Sequence, residues 1–320
     1  MSNNPFQADL AVQSRMAALE ASVGEAVRAE IAAVALLAAD QLDANLGGIL
    51  PSEAALDIVS RFGLSGVDDV LLLGLGVAQT IARPPISGFY VGAIGLEAET
   101  GNLVLGGNVE FPGTHLGYTV HGEGFVFTRA FSRGTSIRRI ALGEAHPCAH
   151  CRQYLSEFSL GPDLELIDPL GHRLTLGDLY PWPFDSRYLG KPGALPGVVN
   201  YPTLTAMSRT EPGKVIDALF AAGRRAHAPY SGCPGAVAIE LHDGRVVTGA
   251  SVESVAFNPT MGPLQAALID LIAHGYSFGD IARTTLGTVA AGSADYRRST
   301  LELLEAIAPD TNLDIINWRP

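Results

Sequence analysis

The chain has 320 residues, 47% of them hydrophobic and 17% charged, a balance that supports a folded core and excludes a disordered chain. Its net charge of −12 argues against nucleic acid as a partner, because polyanion binding draws on a basic face that displaces counterions from phosphates. At about 100–200 residues per domain, the length predicts two domains.

The first fifteen residues are polar, without a basic start and apolar block, so no secretory signal is expected. The most apolar early stretch, Ile31 to Leu37, is closed by Asp40 and Asp43 and is far too short to span a bilayer. A cytoplasmic protein with no membrane partner is the expectation. Leu10, Val12, Met16, Leu19 and Val23 recur at three- and four-residue steps, as on one helix face. Pro51-Ser52-Glu53 marks a helix start, and another helix is predicted from about Val67 to Ile81, stopped by Arg83-Pro84-Pro85. Tyr90 to Gly95 reads as a strand, residues 99–102 as a hairpin turn, and Leu103-Val104-Leu105 as the returning strand. A helix starting near Thr119 is expected to carry both His121 and Glu123, followed by a strand at 137–141 and a helix from Cys148 to Phe158. Arg129, Arg133, Arg138 and Arg139 make a local basic run that reads as a solvated helix face and loop rather than a phosphate site. A Pro- and Gly-rich stretch from Pro181 to Gly197 has the composition of a linker.

Beyond that stretch the pattern repeats. Pro85-Ile86-Ser87-Gly88 is echoed by Pro229-Tyr230-Ser231-Gly232, and Gly106-Gly107-Asn108-Val109-Glu110 by Gly249-Ala250-Ser251-Val252-Glu253. The two offsets agree to within one residue, which indicates an internal duplication of roughly 110 residues. The expected organisation is a helical region at 1–66, a first core at 67–185, a linker at 186–210 and a second core at 211–320.

The chemistry lies in the first core. Three cysteines are an odd number, and two of them form one C-x-x-C, which points to metal or redox chemistry rather than a disulfide framework. His121-Gly122-Glu123 is followed by Pro147-Cys148-Ala149-His150-Cys151. Zinc favours thiolate and imidazole ligands in a tetrahedral site, and a catalytic site keeps one position open. His121, Cys148 and Cys151 supply three ligands and leave that opening. Bound zinc lowers the pKa of water to about 7, and Glu123, two residues beyond a ligand, can carry protons without binding the metal. Alone, the C-x-x-C also suits half of a structural zinc site or a redox pair, and His146 and His150 are rival ligands. Together and in order, these residues form the signature of the zinc nucleobase deaminases.

These motifs resemble the cytidine deaminase family, specifically its long two-domain homodimeric type. The resemblance extends over Ser87-Gly88-Phe89-Tyr90-Val91-Gly92-Ala93, the Gly-x-Asn-x-Glu block, Pro-Cys-x-x-Cys-Arg-Gln, Ala228-Pro229-Tyr230-Ser231, Phe257-Asn258-Pro259-Thr260 and Pro263-Leu264-Gln265. It implies an α/β fold of two α/β/α sandwich cores with mixed sheets, preceded by a helical region. It also implies that Asn108 and Glu110 hydrogen-bond the ribose hydroxyls, that Phe89 packs on the nucleoside, and that Glu123 also meets a ring nitrogen of the base. The alternative for Asn108 and Glu110 is a turn with a capping carboxylate. Phe257 and the region of Phe184 are candidates to line a partner subunit's pocket, with plain core aromatics as the alternative. The repeat places Leu264 or Gln265 opposite His121 and Ala266 or Ala267 opposite Glu123, and no cysteine follows Cys233, so the second core lacks the zinc site. The implied activity is hydrolytic deamination of cytidine and 2′-deoxycytidine in pyrimidine salvage. Gly122, Gly124 and Ala145-His146 depart from the family pattern beside the metal, which keeps a modified aminopyrimidine nucleoside as an alternative substrate. An inactive nucleoside-binding paralogue is a further alternative.

Overall fold

A computed structural model describes residues 4–37, 45–143 and 146–320. Asp40, Asp43 and Ala145, used above, lie outside the described residues. Helix α1 (Leu10–Leu19) starts on Asp9, whose carboxylate accepts from the amides of Ala11 and Val12 and so satisfies donors that the first turn leaves free. It runs through a π turn (Glu20–Gly24) into α2 (Glu25–Ala35). Met16 is buried and Val12, Leu19 and Val23 pack against the core, but Leu10, at the helix end, is 72% exposed.

Strand β1 (Ile49–Leu50) and helix α3 (Ser52–Phe62) follow. The single helix expected from Val67 to Ile81 is two: α4 (Val67–Leu73) and α5 (Leu75–Gln79) meet at Gly74, where a β-carbon would stand 2.9 Å from Ile94 Cδ1. Strand β2 (Gly92–Glu97) begins two residues later than the sequence suggested. The side-chain amide of Asn108 takes the Val91 N–H and the Phe89 carbonyl, which bends this segment out of the ladder. The remaining elements of the first half are β3 (Leu103–Gly107), α6 (Gly122–Arg133), β4 (Ile137–Leu142), α7 (Ala149–Leu155), β5 (Glu165–Ile167), β6 (Arg173–Thr175) and α8 (Leu176–Leu179). They build a sheet of order β1-β3-β2-β4-β5-β6, parallel only between β4 and β5.

The second half comprises β7 (Thr205–Ala206), α9 (Lys214–Arg225), β8 (Ala236–Leu241), β9 (Val246–Ala250), α10 (Pro263–Ala273), β10 (Ile281–Val289), α11 (Arg297–Ile307) and β11 (Leu313–Arg319). Its sheet, β7-β11-β10-β8-β9, is again parallel at one pair, β10 and β11. The outer antiparallel strand has a different source in each sheet: β6 follows β5 directly, whereas β7 comes from the segment between the halves. Ala194, in the stretch with linker composition, is fully buried and bridges Phe158.

The duplication is visible in hydrogen bonds. Glu110 accepts from the amides of Ile86 and Ser87 and from Ser87 Oγ. Glu253 accepts in the same way from the amides of Tyr230 and Ser231 and from Ser231 Oγ. Isolated bridges link Val109 with Arg83 and Val120, and Val252 with His227 and Met261. This last correspondence corrects the repeat alignment: Val120 matches Met261, so His121 matches Gly262 and Glu123 matches Leu264. The loop before α10 is shorter than the one before α6, and a fixed offset therefore overran it.

Helices α6 and α10 lie against each other, each also covering its own sheet, while α4 and α5 cover the first sheet's other face and α9 the second's. Glycines let the inner helices approach: a β-carbon on Gly106 would come within 2.7 Å of Phe125, and one on its counterpart Gly249 would overlap the Ala267 nitrogen. One apolar core runs through both halves, with a smaller cluster around Trp318. Of the basic run only Arg138 is exposed as a solvated face would be. Arg129 is buried against Asp270, Arg133 pairs with buried Glu97, and Arg139 pairs with Asp68 and Glu165. Among the described residues no helix is long and apolar enough to cross a membrane.

Candidate active site

His121 is the residue that precedes α6, in extended conformation (φ −82°, ψ 156°), and not part of the helix as expected. Cys148 stands in the same position ahead of α7 and accepts the Cys151 N–H on its sulfur. The two helix starts therefore face each other. His121 Nδ1 lies 3.6 Å from Cys148 Sγ and 3.2 Å from Cys151 Sγ. Ligands bound to one tetrahedral zinc at about 2.0 Å (N) and 2.3 Å (S) would stand roughly 3.5 Å apart, so the donor set fits the ion. Hydrogen bonding to Cys151 and His121 pulls the Cys148 thiol down to about 3, while its bond with Cys148 pushes Cys151 up and the same sulfur raises His121. Zinc binds thiolate and neutral imidazole, so loading the cluster would release the protons that these groups carry.

Glu123 sits in the first turn of α6, 5% exposed, with burial pushing its carboxyl pKa up. A carboxyl whose pKa burial raises can accept and return a proton. Asn108 spends its amide on Val91 and Phe89, shaping the segment that presents Phe89, which is 58% exposed. Its second N–H remains for a ligand. Burial acts to raise the pKa of Glu110, but hydrogen bonds from Ser87 and Ile86 outweigh it and hold the group ionised. The alternative reading, a turn with a capping carboxylate, is therefore present, and it leaves lone pairs for a hydroxyl.

A β-carbon on Gly122 would touch Val91 and Ala93 at 3.4 Å, and one on Gly124 would touch Met261 at 3.4 Å. Both directions lead into packing, and both are ordinary contacts. Phe257 lies in a loop of the second half, exposed and at φ 62°, edge-on to Tyr230. Its neighbour Asn258 presents a carbonyl 3.2 Å from His150 Nε2, so the second half of the same chain reaches the rim of the metal cluster. His150 is thereby engaged away from the three ligands, and His146 faces Asp168 instead. Phe184 is partly exposed and stacks on Tyr188.

Arg152 and Gln153 were read only as part of a motif, and their contacts were missed. Arg152 donates to the carbonyls of Pro147 and Leu179. Gln153, buried in α7, donates to the Phe184 carbonyl and accepts from Tyr180 OH, both at 2.8 Å. Polar residues placed directly after a metal-binding cysteine on a helix were the available signal. They fasten the 179–184 segment to the metal helix.

Residues 70–162 and 199–300 match two separate family models, each described as the cytidine and deoxycytidylate deaminase zinc-binding region. A cytidine deaminase of Vibrio atlanticus is 34% identical over 300 residues, 93% of this chain and 97% of that protein. Those of Cronobacter sakazakii (35% over 276 residues, 86% and 90%) and Shewanella sp. strain MR-4 (33% over 267 residues, 83% and 88%) are similar. The chain belongs to the cytidine deaminase family. Its zinc-dependent chemistry is that of a hydrolytic enzyme, and its second deaminase-like half retains the family's pattern although Gly262 and Leu264 stand where His121 and Glu123 stand in the first.

Proposed function

We propose that this cytidine deaminase family member hydrolyses cytidine and 2′-deoxycytidine to the corresponding uridines and ammonia, at one site per chain. The observation that carries the reading is the convergence of His121, Cys148 and Cys151 beside the buried carboxyl of Glu123. Those three side chains would hold zinc, whose Lewis acidity makes water a nucleophile at neutral pH. Glu123 would take one proton of the attacking water and give it to the pyrimidine ring nitrogen, where it stays, then take the second from the new C4 hydroxyl and give it to the departing amine. The C4–O bond forms first and the C4–N bond breaks afterwards, so water and cytidine give uridine and ammonia. Asn108 and Glu110 bind the ribose hydroxyls, and Phe89 packs on the nucleoside. A side chain at Gly122 would point to Val91 and Ala93, which argues against its absence enlarging the substrate space.

The same proposal includes the division of the chain near 66, 185 and 210, a cytoplasmic location, a role in pyrimidine salvage and no nucleic-acid partner. A homodimer is supported by exposed apolar side chains along one segment, among them Trp182, Phe184, Tyr188 and Leu189. Phe184 and Phe257 are then the residues that line a neighbouring pocket. Incubation of zinc-loaded protein with cytidine tests the activity: release of ammonia with loss of cytidine absorbance is expected, and its absence overturns the reading.

A further inference from the structure

Apart from the candidate active site, His146, Asp168 and His172 bring two imidazoles and a carboxylate to one point, and we propose that they bind a second divalent cation of the zinc, cobalt or nickel type. His146 Nε2 lies 2.9 Å and His172 Nδ1 2.7 Å from the same oxygen, Asp168 Oδ2. All three ligand atoms fall within 4.8 Å of one another. The rings stand nearly perpendicular at 5.6 Å, so their nitrogens converge without the rings stacking.

The frame is fixed before any ion arrives. Asp168 follows β5 and is 3% exposed, and its other oxygen accepts the His172 amide at 2.9 Å. The turn between them is closed by Gly171, at φ 87°, donating to the Asp168 carbonyl. From the far side α1 braces this turn: the Asp9 N–H donates to Gly171 O, and the Gln13 amide donates to Leu170 O at 2.7 Å. A preorganised ligand set on a supported turn is what tight binding needs.

The donors select the ion. Two imidazoles and one carboxylate suit zinc and its neighbours and suit magnesium or calcium poorly. Ligand bonds of about 2.0–2.2 Å would replace the two N–H groups now directed at Oδ2. The third side chain, His146, is 36% exposed and leaves a side open for water. Because His146 stands two residues before Cys148, the second ion would tie the β5–β6 turn to the segment leading into α7.

Zinc content tests this. Full-length protein equilibrated with excess zinc and then freed of unbound metal is expected to carry two ions per chain, and His172→Gln one, with cytidine turnover unchanged. Cobalt loading separates the sites: the thiolate site gives sulfur-to-cobalt charge-transfer bands, whereas the second ion adds visible bands without them. If His172→Gln fails to fold, Asp168→Asn and the wild-type cobalt titration decide. A single zinc per wild-type chain under excess metal would overturn the proposal and leave a hydrogen-bonded clasp. Two ions retained in both variants would also overturn it.

Discussion

Arg129 on α6 and Asp270 on α10 form a 2.7 Å ion pair where the two halves of the chain meet. The guanidinium is 2% exposed, and burial pulls its pKa down while Asp270 supports its charge. Its other donors reach the carbonyls of Asn45 and Gly47. The half without a metal cluster therefore neutralises a buried charge on the helix that begins beside His121.

Asp270→Ala is expected to destabilise the protein by about 3–5 kcal/mol, because it strands that charge away from water. Replacing both residues by leucine should cost less than the single change. Denaturant unfolding of the three proteins measures this, and equal stability for Asp270→Ala and wild type would refute it.

Acid stability depends on Glu97. It is fully buried; burial acts to raise its pKa, but Arg133, Thr100 and Thr135 hydrogen-bond it and bring the value below 4.5. The unfolded chain then binds the proton more readily than the folded one. Stabilisation is complete above 4.5 and is lost as pH falls through the lower folded value. Glu97→Gln should flatten this part of the stability–pH curve and lower stability at neutral pH, as thermal melts across the acid range would record.

Gly122→Ala should be tolerated. The new methyl meets Val91 and Ala93 at ordinary contact distance, and alanine restricts the unfolded chain more than glycine does. A gain of about 0.4–1 kcal/mol is expected, with the ratio of cytidine to modified-nucleoside turnover unchanged. A switch in substrate preference would restore the idea that this glycine sets specificity.

Gln153→Ala releases the Phe184 carbonyl and the Tyr180 hydroxyl from their shared anchor, at about 1–3 kcal/mol. If the 179–184 segment borders the substrate, KM for cytidine rises while zinc content stays the same. Unaltered kinetics would place that segment outside the substrate path.

The candidate metal cluster was legible because it depends on residue type and order: the spacing of His121, Cys148 and Cys151 already suggests the grouping that the fold brings together. The duplication was legible for a similar reason, since Ser87–Glu110 and Ser231–Glu253 repeat one hydrogen-bonded turn. Boundaries were less so. His121 falls outside α6 and β2 starts late because tertiary partners, the facing cysteines and the Asn108 amide, override local pattern. Arg129 reads as a surface residue until its distant partner Asp270 is known. The strand β7 was hidden because two residues carry no periodicity, and only pairing with β11 makes them a strand.

If Glu123 moves protons beside the His121, Cys148 and Cys151 cluster, ammonia release from cytidine will differ between wild type and Glu123→Gln at equal zinc content. Steady turnover by the wild type and a loss of about 10²–10⁴-fold in the variant are expected. Equal rates in the two proteins, or no ammonia from the zinc-loaded wild type, would contradict that role for Glu123.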